Sequence, residues 1–208
     1  KAKDIFITGL KYDPKNLALK NNLATSYKNL LQYDLAENLY NEIISLNKKY
    51  VNAYVNLGNL KRDINKFNEA ISLYEKACEI QPKNSIILYS LALAHQGLGN
   101  FEKAIKFAKE SLILNPKLTQ ADHLISQSMK YENENWHYKE IIQKLDRLDL
   151  SKNEKIDIYF SLSKANEDMN KIEKSYNFLK KGNDLKNEYL NYNIKSEINL
   201  LDKITKIF

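Results

Sequence analysis

Three histidines, one cysteine and five glycines are where catalysis, metal binding or nucleotide binding would first show in this 208-residue chain. A phosphate-cradling loop needs glycines in a GxxxxGK or GxGxxG array, so that backbone N–H groups can approach the phosphates. Gly9, Gly58, Gly97, Gly99 and Gly182 form neither. Gly97-Leu98-Gly99 comes nearest, and it falls where a turn between two helices is predicted. His95, His123 and His137 lack the HxxxH or HExxH spacing that sets two imidazoles on one helix face for a metal. A single Cys78 excludes an internal disulfide and a cysteine-based zinc site. Its place in line with Ile44 and Leu112 predicts a small core residue. Glu132, Glu134 and His137 cluster about Trp136, but no third ligand follows at a helical step. We read that stretch as a solvated turn with Trp136 packing inward. No catalytic constellation and no cofactor are expected within these residues.

Charge narrows the partners. Lys and Arg number 32 against 26 Asp and Glu, a net charge of +6, yet no block of five or six like charges occurs. A nucleic-acid arm or a polybasic membrane patch would need one. The longest uncharged stretch, Asn84 to Phe101, carries Ser85, Ser90, His95, Gln96 and Asn100, whereas a spanning helix needs about 20 mainly apolar residues. Neither nucleic acid nor a membrane is an expected partner. No signal-peptide pattern opens the chain, no asparagine sits in an N-x-S/T sequon, and the thiol is alone. These point to a reducing, cytoplasmic setting. With only 5 Gly and 3 Pro, the chain lacks the turns of a β-sandwich or barrel.

The elements that position everything else repeat. Tyr33, Phe67 and Phe101 are 34 residues apart, as are Ala36, Ala70 and Ala104. So are Leu23, Leu57, Leu91 and Ile125, each followed by a small residue, Ala24, Gly58, Ala92 or Ser126. Tyr40 and Tyr74 recur, with Ala108 third, and prolines at 14, 82 and 116 close the units. Within the second unit Tyr54, Leu57, Leu60 and Ile64 share one helical face, and Ala70, Leu73, Tyr74, Ala77 and Ile80 another. Two short amphipathic helices per unit are predicted, joined by a polar turn such as Asp63-Ile64-Asn65-Lys66. Neither is long enough to persist alone in water, so the units must stack. Each large side chain buried in stacking contributes about 1.5–3 kcal/mol.

Tyr54, Leu57-Gly58, Ala70, Tyr74, Ala77 and Pro82 make this pattern resemble the tetratricopeptide repeat (TPR) family. The resemblance implies an all-α, right-handed superhelical solenoid of about five repeats plus a terminal helix. Residues 1–16 then hold the second helix of a truncated repeat, with Ala2, Phe6, Gly9 and Pro14 in register. Residues 17–118 hold three well-formed units, 119–190 two degenerate ones, and 191–208 a capping or linking helix striped by Ile194, Ile198, Leu201, Ile204 and Ile207. The fifth unit opens about three residues late, with an insertion expected near 131–135 or 148–153.

In solenoids of this family the first helix of each pair lines an inner groove that binds protein or peptide. The residues placed there are Asn22, Thr25 and Asn29; Asn52, Asn56, Asn59 and Arg62; Tyr89; and Gln120, His123 and Gln127. An amide both donates and accepts, so such a strip suits an extended peptide backbone. Asn22 and Asn56 directly precede their Leu-small pairs, similar to the asparagine ladder in the repeat arm of O-linked N-acetylglucosamine transferase; Ser90 and Leu124 follow in that column. Ile86 and Ser90 stand where a chaperone-tail clamp would carry basic residues. Replacing Asn56 and Asn59 by alanine is expected to weaken binding and leave melting nearly unchanged.

From Asp157 onward, Ile158 to Met169, Tyr176 to Asn183 and Leu190-Asn191-Tyr192 resemble the last repeat of bacterial TPR–sulfotransferase proteins, whose penultimate helix ends in Gly-Asn. The resemblance implies a binding and scaffolding arm with a catalytic domain attached beyond Phe208, where a phosphosulfate donor would bind. A free-standing adaptor, or the repeat arm of a glycosyltransferase, are the alternatives.

Overall fold

A computed structural model describes residues 2–190, and among them every regular element is an α-helix. Eleven follow in order: α1 (Ala2–Tyr12), α2 (Leu17–Asn29), α3 (Tyr33–Leu46), α4 (Val51–Asp63), α5 (Phe67–Ile80), α6 (Ser85–Gly97), α7 (Phe101–Leu114), α8 (Thr119–Ser128), α9 (Trp136–Arg147), α10 (Lys152–Asp168) and α11 (Ile172–Leu190). The stripe from Ile194 to Ile207, and Asn191-Tyr192, lie outside the described residues.

The first compact unit spans Lys1–Ser128. Within it α2–α3, α4–α5 and α6–α7 are the closely packed pairs that the period predicts, each stacked on the next. The small-residue columns explain the close approach: Ala24, Ala36, Ala70, Ala92 and Ala104 are completely buried. At Gly58 even a methyl would be too much, since an added Cβ would lie 2.5 Å from Tyr74 Cε1. Large side chains then bridge one pair to the next. Tyr40 and Ile43 pack with Ala53, Leu57 and Leu60, and Tyr74 and Ala77 pack with Ile87, Leu91 and Ala94. Cys78 lies half-buried against the latter cluster as a free thiol, its pKa pushed up first by burial and then by Glu75 and Glu110.

One corner recurs. Leu31, Asn65 and Gly99 adopt left-handed backbone (φ 59, 60 and 74°) at 34-residue intervals, and Asn170 does so again (φ 57°). At each, the N–H of the following residue bonds five residues back: Gln32 to Tyr27, Lys66 to Lys61, Asn100 to His95 and Lys171 to Asn166. This Schellman closure satisfies the last carbonyls of the first helix and turns the chain into the second. It places Leu98-Gly99 in a structural turn directly after Gly97, the last residue of α6.

A second unit begins at Met129. Its core joins Tyr131, Tyr138, Ile141, Leu150, Ile158, Leu162 and Ala165, with α10 and α11 packed closely. The extra residues are found at the head of α10, which is 17 residues long where α4 and α6 have 13. The added turn starts at a capping box, Ser151 with Glu154, which satisfies two backbone donors reciprocally. Two local expectations are corrected. Trp136 is 41% exposed, because as first residue of α9 it leans on the His137 ring while His137, Tyr138 and Ile141 fill the interior. Gly182-Asn183 does not end a helix: α11 runs on to Leu190, and Gly182 sits where a Cβ would press on Phe160 at 2.7 Å.

Candidate functional site

The first helices of the pairs form one row. α2, α4, α6 and α8 touch in succession, while α3, α5 and α7 do not meet comparably. The row whose members approach is the shorter side of the stack, hence its inner wall. Polar rungs join it. Asn56 Nδ2 donates to Asn21 Oδ1 at 3.0 Å, Lys28 Nζ to Asp63 Oδ2 at 2.7 Å, and Gln96 Nε2 to Ser128 Oγ at 3.0 Å.

The residues predicted for the groove divide into two sets. Asn22, Asn29, Asn52, Gln120 and Gln127 are exposed. Thr25, Asn56, Asn59, Arg62, Tyr89 and His123 are half-buried. Several of the second set also serve the fold. Thr25 Oγ1 donates to the Asn21 carbonyl and lies 2.9 Å from the Tyr40 hydroxyl. Tyr74 donates to Asn59 Oδ1 at 2.8 Å. Arg62 Nη2 lies 3.5 Å from Asp63 Oδ1, and Gln127 Nε2 is 2.9 Å from His123 Nε2. Because Asn59 accepts from the buried Tyr74 hydroxyl, its loss should cost stability, against the expectation of nearly unchanged melting. Sequence reasoning also missed Asn21. It is buried and receives the Asn56 amide, although its only sequence signal is an asparagine where the next repeat has Val55.

The asparagine column stops after Asn56. Ser90 is buried and turns its hydroxyl back to the Ile86 carbonyl, and Leu124 is buried. Beside them Ile86 stands 50% exposed, in the register of Asn52 and Gln120. Charges on the row are paired, Lys28 and Arg62 with Asp63 and Lys20 with Glu42 of α3. Burial raises the Tyr74 pKa to about 12, with smaller opposed effects of Arg62 and Asp63, and burial likewise raises Tyr40 against the Thr25 hydrogen bond. Neither hydroxyl ionises near neutrality. The wall therefore offers amides, hydroxyls and an aliphatic step, the chemistry of hydrogen bonding and packing.

In the second unit the acidic cluster is engaged otherwise. Glu134 pairs with Lys171 at 2.6 Å, and this hydrogen bond and charge hold its carboxyl below the usual range. His137 is completely buried with Nδ1 on the Tyr131 hydroxyl, and Glu132 is exposed. Among the described residues no three or more His, Cys, Asp or Glu side chains gather as a metal site. No described helix is long and apolar enough to cross a membrane.

Comparison with known proteins agrees with this geometry. Residues 58–99 match the family model of the TPR repeat, and residues 85–118 that of the tetratricopeptide repeat. The chain is 30% identical over 118 residues to the BBSome complex member BBS4 of Bos taurus, covering 55% of this chain and 22% of that protein. It is 32% identical over 117 residues to the protein O-mannosyl-transferase TMTC3 of Homo sapiens, covering 53% of this chain and 13% of that one. The chain thus spans a minor part of the length of both relatives. Among solved structures it resembles YrrB, described as a TPR protein with an unusual peptide-binding site, at a TM-score of 0.61 and 18% identity over 91% of this chain and 96% of that one. Residues 58–118 are thus tetratricopeptide repeats, set in an all-α chain with the helix-pair solenoid fold.

Proposed function

We propose that the inner row of α2, α4, α6 and α8 holds an extended segment of a protein partner, and that the chain is a binding and scaffolding arm. The observation that carries this reading is the row itself. Successive helices touch and present exposed Asn22, Asn52 and Gln120 beside half-buried Asn56, with the row's charges mutually paired. Such a wall hydrogen-bonds a peptide backbone with little demand on its sequence, and exposed Ile86 supplies one apolar anchor. The partner therefore carries a weakly charged, extended stretch with a large aliphatic or aromatic residue toward one end. No cofactor enters this reading, and the free Cys78 suits the reducing cytoplasm.

The arm serves an attached transferase in the finer form of this proposal. A sulfotransferase domain using a phosphosulfate donor is the first choice, on the resemblance of the stretch from Asp157 to Phe208 to the last repeat and connecting helix of such proteins. The similarity to an O-mannosyl-transferase favours a glycosyltransferase as the second choice, and the similarity to a complex member keeps a free-standing adaptor as the third. Affinity capture with the wild-type chain and with Asn22→Asp/Asn52→Asp/Ile86→Asp tests the groove. Partners retained by the first and lost by the second support it; an unchanged set overturns it. The reading frame after Phe208 tests the finer form: a strand followed by a Gly-Thr phosphosulfate loop supports the sulfotransferase, and a stop codon removes it.

A further inference from the structure

The first unit has two edges, made by different connections. One edge is built from the corners at Leu31, Asn65 and Gly99. The other is built from the loops between α1 and α2, α3 and α4, α5 and α6, and α7 and α8. Cationic side chains at the corner edge find acids nearby: Lys28 with Asp63, Lys61 with Glu37 and Glu69, Lys66 with Glu69. The loop edge is different. Each loop carries an exposed lysine at the same register, Lys15, Lys49, Lys83 and Lys117, spaced 34 residues apart, and Lys48 adds a second in its loop. Lys15, Lys48, Lys49 and Lys83 have no carboxylate within ion-pair distance among the described residues. Asp13 lies in the first of these loops, where it accepts from Asn16 Nδ2. Large apolar side chains recur beside the lysines: Tyr12, Leu46 and Leu114, again in one register, are all exposed.

We propose that this loop edge is a second interaction surface, which binds an extended acidic polypeptide carrying a carboxylate at about every third residue. The spacing follows from packing. The first helices touch in succession, so successive loops lie about one helix-to-helix distance apart, roughly 8–10 Å. An extended chain advances about 3.3 Å per residue, and about three residues span one step. A line of single cations at that pitch matches a linear polyanion whose charges are set apart in the same way. The exposed Tyr12, Leu46 and Leu114 accept apolar residues between the acids. Lysines after a helix end also offset the helix dipole, but that role asks for no exposed apolar row; the acids at this edge, Asp13, Glu42 and Glu79, stay outside ion-pair distance of Lys15, Lys48, Lys49 and Lys83. The surface is distinct from the inner row and does not depend on the reading given to that row.

The test uses the full chain and fluorescent twelve-residue peptides. One carries four glutamates at every third position among Gly, Ser and Leu; a second has the same composition with the glutamates contiguous; a third replaces them by glutamine. We expect the spaced peptide to bind tightest, weakening with salt, and to lose at least tenfold in affinity with Lys15→Gln/Lys49→Gln/Lys83→Gln. These side chains are exposed, so circular dichroism melting should not move. Lys66→Gln/Lys103→Gln/Lys106→Gln makes the same change in net charge away from the loop edge and should leave binding within twofold. Asn22→Ala/Asn52→Ala/Ile86→Ala, which adds no charge beside Lys49 or Lys83, should likewise leave it intact, which separates this surface from the groove. Equal binding of spaced and contiguous peptides, or equal loss with both lysine triples, overturns the proposal. So does tighter, loop-lysine-dependent binding to duplex DNA or to vesicles rich in phosphatidylserine.

Discussion

Tyr74 donates its hydroxyl to Asn59 Oδ1 at 2.8 Å, from the second helix of a repeat to the first. One repeat earlier the same two positions hold Tyr40 and Thr25, 2.9 Å apart. Fold and groove thus share residues. Asn59→Ala leaves a buried hydroxyl without its acceptor and should cost about 1–2 kcal/mol. Asn52→Ala, on the exposed part of the row, should stay within about 0.5 kcal/mol. Urea unfolding of both variants, beside peptide binding, checks the distinction; equal stability would remove the structural role given to Asn59.

Leu31 holds left-handed backbone at φ 59° while 71% exposed, in the register where Gly99 stands two repeats later. A side chain in that region costs about 1–2 kcal/mol, and Leu31 has little packing to lose. Leu31→Gly should therefore stabilise the first unit by about 0.5–1 kcal/mol, and Gly99→Ala should destabilise it by a similar amount. Thermal melting of the pair should show opposite signs.

Gly97 tests a different constraint. An added Cβ would meet Phe67 Cε1 at 2.3 Å and Cζ at 2.6 Å, so the ring must move. Gly97→Ala should cost about 1–3 kcal/mol despite its better helix propensity. Adding Phe67→Leu should restore part of the loss, and a double-mutant cycle in urea measures that coupling.

His95 is buried, stacked on Phe107 with centroids 5.4 Å apart, and its Nδ1 has no hydrogen-bond partner among the described residues. Burial, then the positive Lys103, push its pKa below the ordinary value, against a smaller opposing effect of Glu75. The unfolded chain thus binds the proton more readily, near its usual pKa of about 6.5. Stability should be complete above that value and should decline as pH falls through it toward the lower folded value. Urea midpoints at pH 7.5 and 5.5 should differ in the wild type, and the difference should shrink in His95→Leu.

Lys61 occupies the same register one repeat earlier, with Glu37 at 2.7 Å and Glu69 at 2.8 Å. Burial alone would lower its pKa, but hydrogen bonds and charge from the two carboxylates raise it. The same hydrogen bond and charge hold Glu69 below the usual carboxylate range. That contribution is present above about pH 4.3, the unfolded value, and is lost on acidifying through the lower folded one. Lys61→Met should flatten the acid limb of the stability profile between pH 5 and 3, read by circular dichroism.

The fold was legible because its signal is columnar. Ala36, Ala70 and Ala104 line up in sequence, and all three are fully buried. Tyr40 and Tyr74 likewise fall where the period puts them, at the joints between pairs. What stayed hidden is what a single position does not announce. Leu31 carries no mark of left-handed backbone, since leucine is a poor choice there. The extra turn of α10 rests on a capping box, Ser151 and Glu154, that is visible in sequence but silent about how far upstream the helix begins. Trp136 looked like core because it is large; Asn135 caps the helix just before it and holds it at the first, outward turn. The groove was half legible. Its exposed amides follow from helix face, but the diversion of Asn59 and Thr25 toward buried tyrosines depends on a neighbouring helix.

The corner at Leu31, Asn65, Gly99 and Asn170 closes through bonds confined to the half-dozen residues that form it. A block of chain copied from one corner to the next would bring its own bend along. Slippage during replication could thus lengthen or shorten such a gene by whole modules and still yield a protein that folds, leaving reach as a trait that selection can tune apart from what is gripped.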